Sequence, residues 1–264
     1  MSIIPDTEKL LNWYDNNGRD LPWRYKNGKK PDPYVVWLSE IMLQQTTVAV
    51  VKDYFKRFII RWPTLFDLSK ANLDDVLKEW SGLGYYARAR NLHKSAEIIS
   101  KEHLGKFPEH KKELILLPGI GDYTAAAILS IAFNKRATAI DGNVERVISR
   151  IFAIIEPLPS SKSYIREKAI EITPMKRYGD YAQAIMDLGS TICLPRNPMC
   201  NECPWEEACQ ARKAGIQQNL PVKKPKKTKP HRKGICFWIT RNDGYVLMRK
   251  RKEKGLLGGM MEIP

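Results

Sequence analysis

A glutamate inside an apolar stretch is the first group in the sequence that could do chemistry. Glu40 lies in the middle of residues 34–51, whose almost wholly apolar side chains predict a buried helix. An ionised carboxylate is costly in such surroundings, so the pKa of Glu40 should rise and its proton should stay in place near neutral pH. A general acid needs this property. The alternative is a structural glutamate that forms an ion pair with Arg19 or Arg24.

A second candidate site is a glycine-rich hairpin between two predicted helices. Residues 114–117 predict the end of one helix, Pro118, Gly119 and Gly121 break it, and residues 124–133 predict the next. Hairpin amides and a helix N-terminus that point outward together suit a phosphate oxygen. The alternative is an ordinary helical hairpin with a glycine at its C-cap.

A second carboxylate follows this hairpin. Asp141 lies between the extended residues 138–140 and a new helix that begins near Asn143. The spacing predicts a carboxylate held close to a clamp for a nucleic-acid backbone. The alternative is that Asp141 is only the N-cap of the helix that it precedes.

Four cysteines follow the spacing C-x6-C-x2-C-x5-C, which is compact enough to close around one metal centre. They are Cys193, Cys200, Cys203 and Cys209. A four-iron iron–sulfur cluster suits such a loop best, and a structural zinc is the second possibility. Arg196, between the first two cysteines, is placed for a phosphate contact.

Residues 82–90 combine glycines, tyrosines and arginines in a way that suits contact with nucleic acid. The glycines allow close approach, and Tyr85 and Tyr86 could enter a base stack, while Arg88 and Arg90 could meet phosphates. The alternative is a helix junction whose tyrosines belong to the core.

The elements that must position these groups are mainly helices, followed by a short β segment. Helices are predicted at 6–17, 34–51, 53–61, 72–80, 87–103, 124–133, 143–153, 162–173 and 178–191. A basic linker at 222–233 leads to strands at 235–240 and 245–249. Residues 234–264 are too few for an independent core, so they are expected to be the start of a further domain.

Composition favours a polyanionic partner. The 264 residues carry a formal net charge of +15 with a pI near 9.6, which indicates nucleic acid before membrane. No signal peptide is predicted, and no apolar segment is long enough to cross a bilayer. A reducing, cytosolic location is therefore expected, and a disulfide framework is not.

Together these segments resemble adenine DNA glycosylases of the MutY type, in the helix-hairpin-helix superfamily that includes endonuclease III. The matching segments are 21–24, 36–46, 82–90, 117–121, 140–147, 186–189 and the four cysteines. The resemblance implies a mainly α, two-lobed catalytic domain over residues 1–221 with a [4Fe-4S] cluster in loop 193–209. It also implies that residues 234–264 are the truncated start of a Nudix-like domain that recognises 8-oxoguanine.

The resemblance also implies a reaction. Adenine opposite 8-oxoguanine or guanine in double-stranded DNA would be flipped out of the helix and removed. Glu40 matches the acid that protonates N7 of adenine and then handles the attacking water. Asp141 matches the carboxylate that stabilises the oxocarbenium-like sugar, and Tyr123 and Asn143 match residues that assist.

Two further sets of residues carry over from the family by position. The adenine pocket would be formed by Arg19, Leu21, Trp23, Arg24, Leu43, Val48 and Gln183. The DNA contacts would come from Gln45, Thr46, Leu83, Tyr85, Arg88, Gly119, Gly121 and Arg196. A monovalent cation at the hairpin turn, a monomeric state and a bacterial-type cytoplasmic, nucleoid-associated location are also expected.

Position 123 separates the related activities. Bifunctional relatives of the endonuclease III type carry a lysine there that forms a Schiff base, whereas this chain has Tyr123, so strand cleavage should be weak or absent. Glu40 argues against the thymine-mismatch branch, which lacks that acid. The alternatives are a pyrimidine glycosylase with lyase activity and a non-enzymatic DNA-binding or redox iron–sulfur protein. Asp122 adds an unfavourable negative charge beside the expected phosphate contact.

Overall fold

The structure, a computed structural model, describes residues 4–25, 30–225, 230–231, 233–252, 255 and 257–264. The mainly helical prediction is confirmed. The helices are α1 (Thr7–Asn17), α2 (Pro33–Leu43), α3 (Val48–Arg61), α4 (Leu65–Lys70), α5 (Leu73–Glu79), α6 (Ala87–Glu102), α7 (Lys111–Leu114), α8 (Asp122–Ala127), α9 (Gly142–Ile151), α10 (Lys162–Glu171), α11 (Tyr178–Thr191) and α12 (Gln210–Lys213). Among the described residues, no helix has the length and apolar character needed to cross a bilayer.

The helices form two groups that meet along a cleft. In the first group α6 packs against α4, α5 and α2, and α2 also packs against α3 and α8. In the second group α11 packs against α1 and α9, and α9 also contacts α10 and α12. A π-helical turn, Ile128–Ala132, continues α8 and contacts both α2 and α11, so it joins the two groups. This arrangement confirms the two-lobed fold.

The single helix predicted over residues 34–51 is wrong, because the structure breaks it into α2 and α3. The first helix ends at Leu43, and the second begins at Val48 after Thr47 as its N-cap. Gln45 lies in the break with φ of +58°, in the left-handed region. The run of β-branched residues from Thr46 onward lowers helix propensity, and it is consistent with a break at this point. As a result Gln45 lies on an exposed loop instead of within a helix.

The predicted glycine hairpin is present between α7 and α8. Gly119 has φ of +80°, and a Cβ there would lie 3.0 Å from Cβ of Asn91, so glycine is required at this position. Gly121 has φ of −100° and open space around it, so its predicted role in the tight turn is wrong. Asp122 forms an ion pair with Lys111, which compensates the acidic charge next to the turn.

The C-terminal segment contains less β structure than predicted. Strand β1 (Arg249–Lys250) pairs antiparallel with β2 (Met261–Glu262), and the strands predicted at 235–240 and 245–249 meet only in one bridge, Thr240 to Val246. Most described side chains of this segment are exposed, so they have no core to hold longer strands. The predicted linker begins in contact with the helical domain, since Val222 accepts a bond from the Leu158 amide. Linker residues 226–229 and 232 lie outside the described part of the chain.

Candidate active site

The cleft between the two groups of helices has a volume of about 720 Å³ and brings most of the predicted site residues together. All four predicted catalytic residues and all seven predicted pocket residues line it, as do Gln45 and Thr46. The sequence places these residues on five separate segments, so the fold is what makes them neighbours.

Glu40 has the buried setting that the sequence predicts. It lies on α2, and its side chain is almost fully enclosed. Burial raises the pKa of Glu40 to about 7, and the nearby negative charge of Asp141 acts in the same direction. The hydroxyl of Tyr123 donates to Oε2 of Glu40 over 2.8 Å and opposes this rise, as does the charge of Arg24. A carboxyl group with this pKa holds its proton in a large part of the molecules at neutral pH.

Asp141 is the N-cap of α9, as the alternative interpretation of the sequence predicts. Its Oδ1 accepts from the amide of Val144 and its Oδ2 accepts from Nδ2 of Asn143, each over 2.8 Å. These two donors fix the orientation of the carboxylate at the cleft wall. Because a capping carboxylate that is only half-buried can also face the cleft, capping and catalysis are compatible here.

Arg146 orients the amide of Asn143, and the sequence reasoning missed it. Its Nη2 donates to Oδ1 of Asn143 over 2.9 Å, which leaves Nδ2 of Asn143 to face Asp141. The same guanidinium donates from Nε to the Cys193 carbonyl over 2.8 Å. The cleft wall and the cysteine loop are therefore joined through one side chain.

Arg19 and Arg24 bind Asp187 rather than Glu40, which removes the ion-pair alternative for the glutamate. Arg24 makes two bonds of 2.6 Å to the Asp187 carboxylate, and Nε of Arg19 makes one of 2.7 Å. Burial alone would raise the pKa of Asp187, but these two arginines hold it below its usual value. The missed signal was an aspartate that lies, like Glu40, within a buried helix.

Gly189 sets how closely α11 approaches α9. A Cβ at this position would lie 2.6 Å from Cβ of Asn143 and 3.2 Å from its Cα. Such contacts are too short, so the lack of a side chain lets the two helices pack directly beside the cleft. Met186, on the same helix, lines the cleft and has its sulfur 3.7 Å from the Tyr123 hydroxyl.

The predicted DNA contacts fall into exposed and buried groups. Gln45, Tyr85 and Arg196 are exposed, as direct contact requires, whereas Leu83 is 5% exposed. Arg88 departs from its prediction, because it is 9% exposed and its Nη groups bond to protein carbonyls. A phosphate contact by Arg88 stays a prediction, and these bonds to protein carbonyls do not favour it. Sequence alone does not reveal the direction in which an arginine in the first turn of a helix points.

The four predicted metal ligands line one cavity beside α9 and α11. Arg150, which is almost fully buried, donates to Sγ of Cys193 over 3.3 Å and to the Leu194 carbonyl over 2.7 Å. In the described ranges, no three His, Cys, Asp or Glu side chains are close enough to hold a single metal ion. The four thiols therefore share one cavity wall.

Comparison with known proteins shows the class to which this fold belongs. The HhH-GPD superfamily of base excision DNA repair proteins matches residues 38–175, and the chain belongs to it. A thermostable thymine-DNA glycosylase has a similar structure, with a TM-score of 0.69 and 29% identity over 79% of this chain and 95% of that one. An endonuclease III in a DNA complex has a TM-score of 0.65 at 23% identity, over 80% of this chain and 95% of that one.

Similar proteins of known name show which group within this superfamily the chain resembles. An adenine DNA glycosylase of Buchnera aphidicola subsp. Schizaphis graminum is 43% identical over 260 residues, covering 92% of this chain and 72% of that protein. The human adenine DNA glycosylase is 44% identical over 219 residues, covering 80% of this chain but 40% of that protein. Within the superfamily, the chain belongs to the adenine DNA glycosylases.

Proposed function

We propose that this chain hydrolyses the N-glycosidic bond of adenine mispaired with 8-oxoguanine or guanine in double-stranded DNA. The observation that carries the proposal is one cleft lined by both Glu40, with a pKa of about 7, and Asp141. A volume of about 720 Å³ is sufficient for a flipped nucleotide. The formal charge of +15 supports binding to the duplex backbone.

The proposed reaction uses the two carboxyl groups for different steps. Protonated Glu40 transfers its proton to N7 of adenine, so the base leaves as a neutral molecule when the C1′–N9 bond breaks. The sugar gains positive charge at that moment, and the carboxylate of Asp141 stabilises it. Glu40, now ionised, accepts a proton from the water that attacks C1′, which restores the acid for the next cycle.

Neighbouring residues hold these groups in place. The Tyr123 hydroxyl donates to Glu40, and Asn143 donates to Asp141, so neither carboxyl group rotates freely. In the pocket, Trp23 packs its ring edge to face against Phe55, with ring centroids 5.3 Å apart. A fixed apolar wall of this kind favours a planar purine.

The product should be an abasic site in an unbroken strand. Lyase chemistry needs an amine to form a Schiff base with C1′, and Tyr123 supplies none. Covalent trapping with borohydride would support the pyrimidine glycosylase/lyase alternative. For the proposed enzyme, strand breaks are expected only after alkali or heat.

The cysteine loop is proposed to hold a [4Fe-4S] cluster. The four thiols line one cavity, and their compact spacing suits a four-iron cluster, with a structural zinc as the alternative. Arg150 donates to Sγ of Cys193, a contact that stabilises a thiolate ligand. When bound, the cluster would fix the fold of the loop that carries Arg196. A brown protein with broad absorbance near ~400 nm would support it, and a colourless zinc protein would contradict it.

Base release under single-turnover conditions tests the proposal directly. Duplexes with A opposite 8-oxoguanine, G or T differ only in the partner base. Release from the first two, with slower release from A:T, is expected. Tight duplex binding with no base release from any of these substrates would favour the non-enzymatic alternative. A monomeric state and a cytoplasmic, nucleoid-associated location belong to the same proposal, and the monovalent cation at the hairpin stays a prediction.

A further inference from the structure

Arg88 forms a buried set of hydrogen bonds that the proposed reaction does not use. It lies in the first turn of α6, and its Nη1 donates to the carbonyls of Ile41 over 3.1 Å and Met42 over 2.9 Å. Nη1 also bonds to the Gln44 carbonyl. These acceptors form the C-terminal end of α2, which carries partial negative charge. Among the described ion pairs, none includes Arg88. The partial negative charge at this end of α2 therefore helps to compensate the positive charge of the guanidinium.

The other end of the same guanidinium reaches a second loop. Nη2 of Arg88 donates to the carbonyls of Leu83 over 2.9 Å and Gly84 over 3.2 Å, and it contacts Oγ1 of Thr46 at 3.2 Å. We call residues 44–47 the Gln45 loop and residues 82–86 the Tyr85 loop. One planar side chain is therefore bonded to both loops.

Each loop has a residue in an unfavourable backbone conformation at its exposed tip. Gln45 has φ of +58° and Tyr85 has φ of +48°, in the left-handed region that side chains other than glycine seldom adopt. Tyr85 is 62% exposed although it is a large aromatic residue, and Gln45 lines the mouth of the cleft. Such strain persists only where the surroundings enforce it, and it concentrates at functional sites. The surroundings here include the bonds from Arg88.

We infer that Arg88 is a positioning residue that holds the Gln45 and Tyr85 loops together as one preformed wedge for the base stack beside the cleft. This inference rests on the proposed function, since a wedge has a use only if a nucleotide leaves the duplex. An exposed aromatic side chain and a neighbouring amide can replace the stacking and hydrogen bonds lost by the bases. Because the wedge is already formed before DNA binds, the conformational entropy of the two loops is lost during folding and does not weaken binding.

The experiment distinguishes two roles of Arg88: a clasp, meaning a side chain bonded to both loops, and a phosphate contact. It does so by keeping the positive charge while removing the planar guanidinium group. Arg88→Lys keeps a cation but cannot bond in one plane to both loops, and Arg88→Gln removes the charge as well. The exposed Arg196→Gln is the matched control for a phosphate contact. All are made in the full chain with its cluster, and in an additional Glu40→Gln background for the binding and flipping assays.

Two readouts are compared. The first is the salt dependence of affinity for an undamaged duplex, and the second is the fluorescence rise of 2-aminopurine placed at the target position when it leaves the stack. For a clasp, both Arg88 variants keep the wild-type salt slope but lose most of the fluorescence rise, and single-turnover base release falls by about tenfold or more. Arg196→Gln should instead lower the salt slope by about one and leave the fluorescence rise at saturating protein unchanged.

Contrary results would overturn the inference clearly. If Arg88→Lys behaves like wild type while Arg88→Gln lowers the salt slope, Arg88 contacts a phosphate. Should an Arg88 variant fail to fold by circular dichroism, Thr46→Val tests the same bond with a smaller change, and it should weaken flipping in the same direction. An unaltered fluorescence rise in Thr46→Val would then count against the clasp. Wild-type base release from A opposite 8-oxoguanine tests the proposed function separately.

Discussion

Replacing Glu40 by glutamine should remove activity and at the same time stabilise the fold at alkaline pH. The pKa of Glu40 is about 7 in the folded protein, against 4.5 for a free glutamate. Between these values the folded state binds more protons than the unfolded chain, so wild-type stability falls as pH rises through this window. The difference between about 7 and 4.5, at about 1.36 kcal/mol for each pH unit, corresponds to about 3 kcal/mol. Glutamine carries no charge, so Glu40→Gln avoids this loss.

The measurement is urea unfolding of both proteins with the cluster in place, at pH 4 and pH 8. At pH 4 the glutamate is protonated in both states, and the two proteins should differ little. At pH 8 Glu40→Gln should be more stable by up to about 3 kcal/mol, since the wild-type carboxylate is then ionised inside the protein. Glu102→Gln, an exposed substitution at the end of α6, is the control for replacing a carboxyl group at the surface.

Two results would refute this reasoning. If the stability difference between Glu40→Gln and wild type were the same at both pH values, the buried carboxylate would be ionised without cost. If Glu40→Gln kept the full single-turnover rate on A opposite 8-oxoguanine, the acid would be another group. A loss of activity combined with a gain in alkaline stability is the expected pair, and a merely disrupted site would produce the loss alone.

Three further substitutions test neighbouring steps. Tyr123→Phe removes a donor that lowers the pKa of Glu40, so the alkaline limb of the single-turnover pH profile should move to higher pH; a shift to lower pH would contradict this. Asp141→Asn keeps a good N-cap, so the melting temperature should change little while the rate falls about 10²–10³-fold; equal losses in both would indicate a purely structural residue. Gly119→Ala should destabilise the hairpin by about 1–3 kcal/mol and weaken duplex affinity, whereas Gly121→Ala, at φ of −100° with open space, is the matched control that should leave stability unchanged.

Local sequence patterns predicted the helices and the hairpin because their determinants lie within a few residues. The positive φ of Gly119 and the N-cap bond of Asp141 depend on residues next to them in the chain. The buried setting of Glu40 could also be predicted, since nearly every neighbour along its helix is apolar. Hydrophobic pattern and capping chemistry are sufficient for features of this kind.

Long-range partners could not be predicted in the same way. Asp187 binds Arg24, which lies 163 residues earlier in the chain, and no local pattern connects the two. The break at Gln45 was missed because apolar residues lie on both sides of the four polar residues 44–47, and the bonds that Arg88 makes there come from another helix. Arg88 was predicted to contact DNA because an arginine suits a phosphate. Only the fold shows that its guanidinium points toward the carbonyls at the end of α2.

Gly189 makes the position of Asp141 within its own lobe sensitive to a single carbon atom. The first turn of α9, which carries Asp141, lies against α11 only because position 189 has no side chain, with Asn143 2.6 Å from where a Cβ would be. Any larger residue would push this turn outward and move the Asp141 carboxylate away from Glu40 on α2. The distance between Glu40 and Asp141 thus depends on a helix contact that involves neither side chain. Gly189→Ala should increase this distance without altering either carboxyl group.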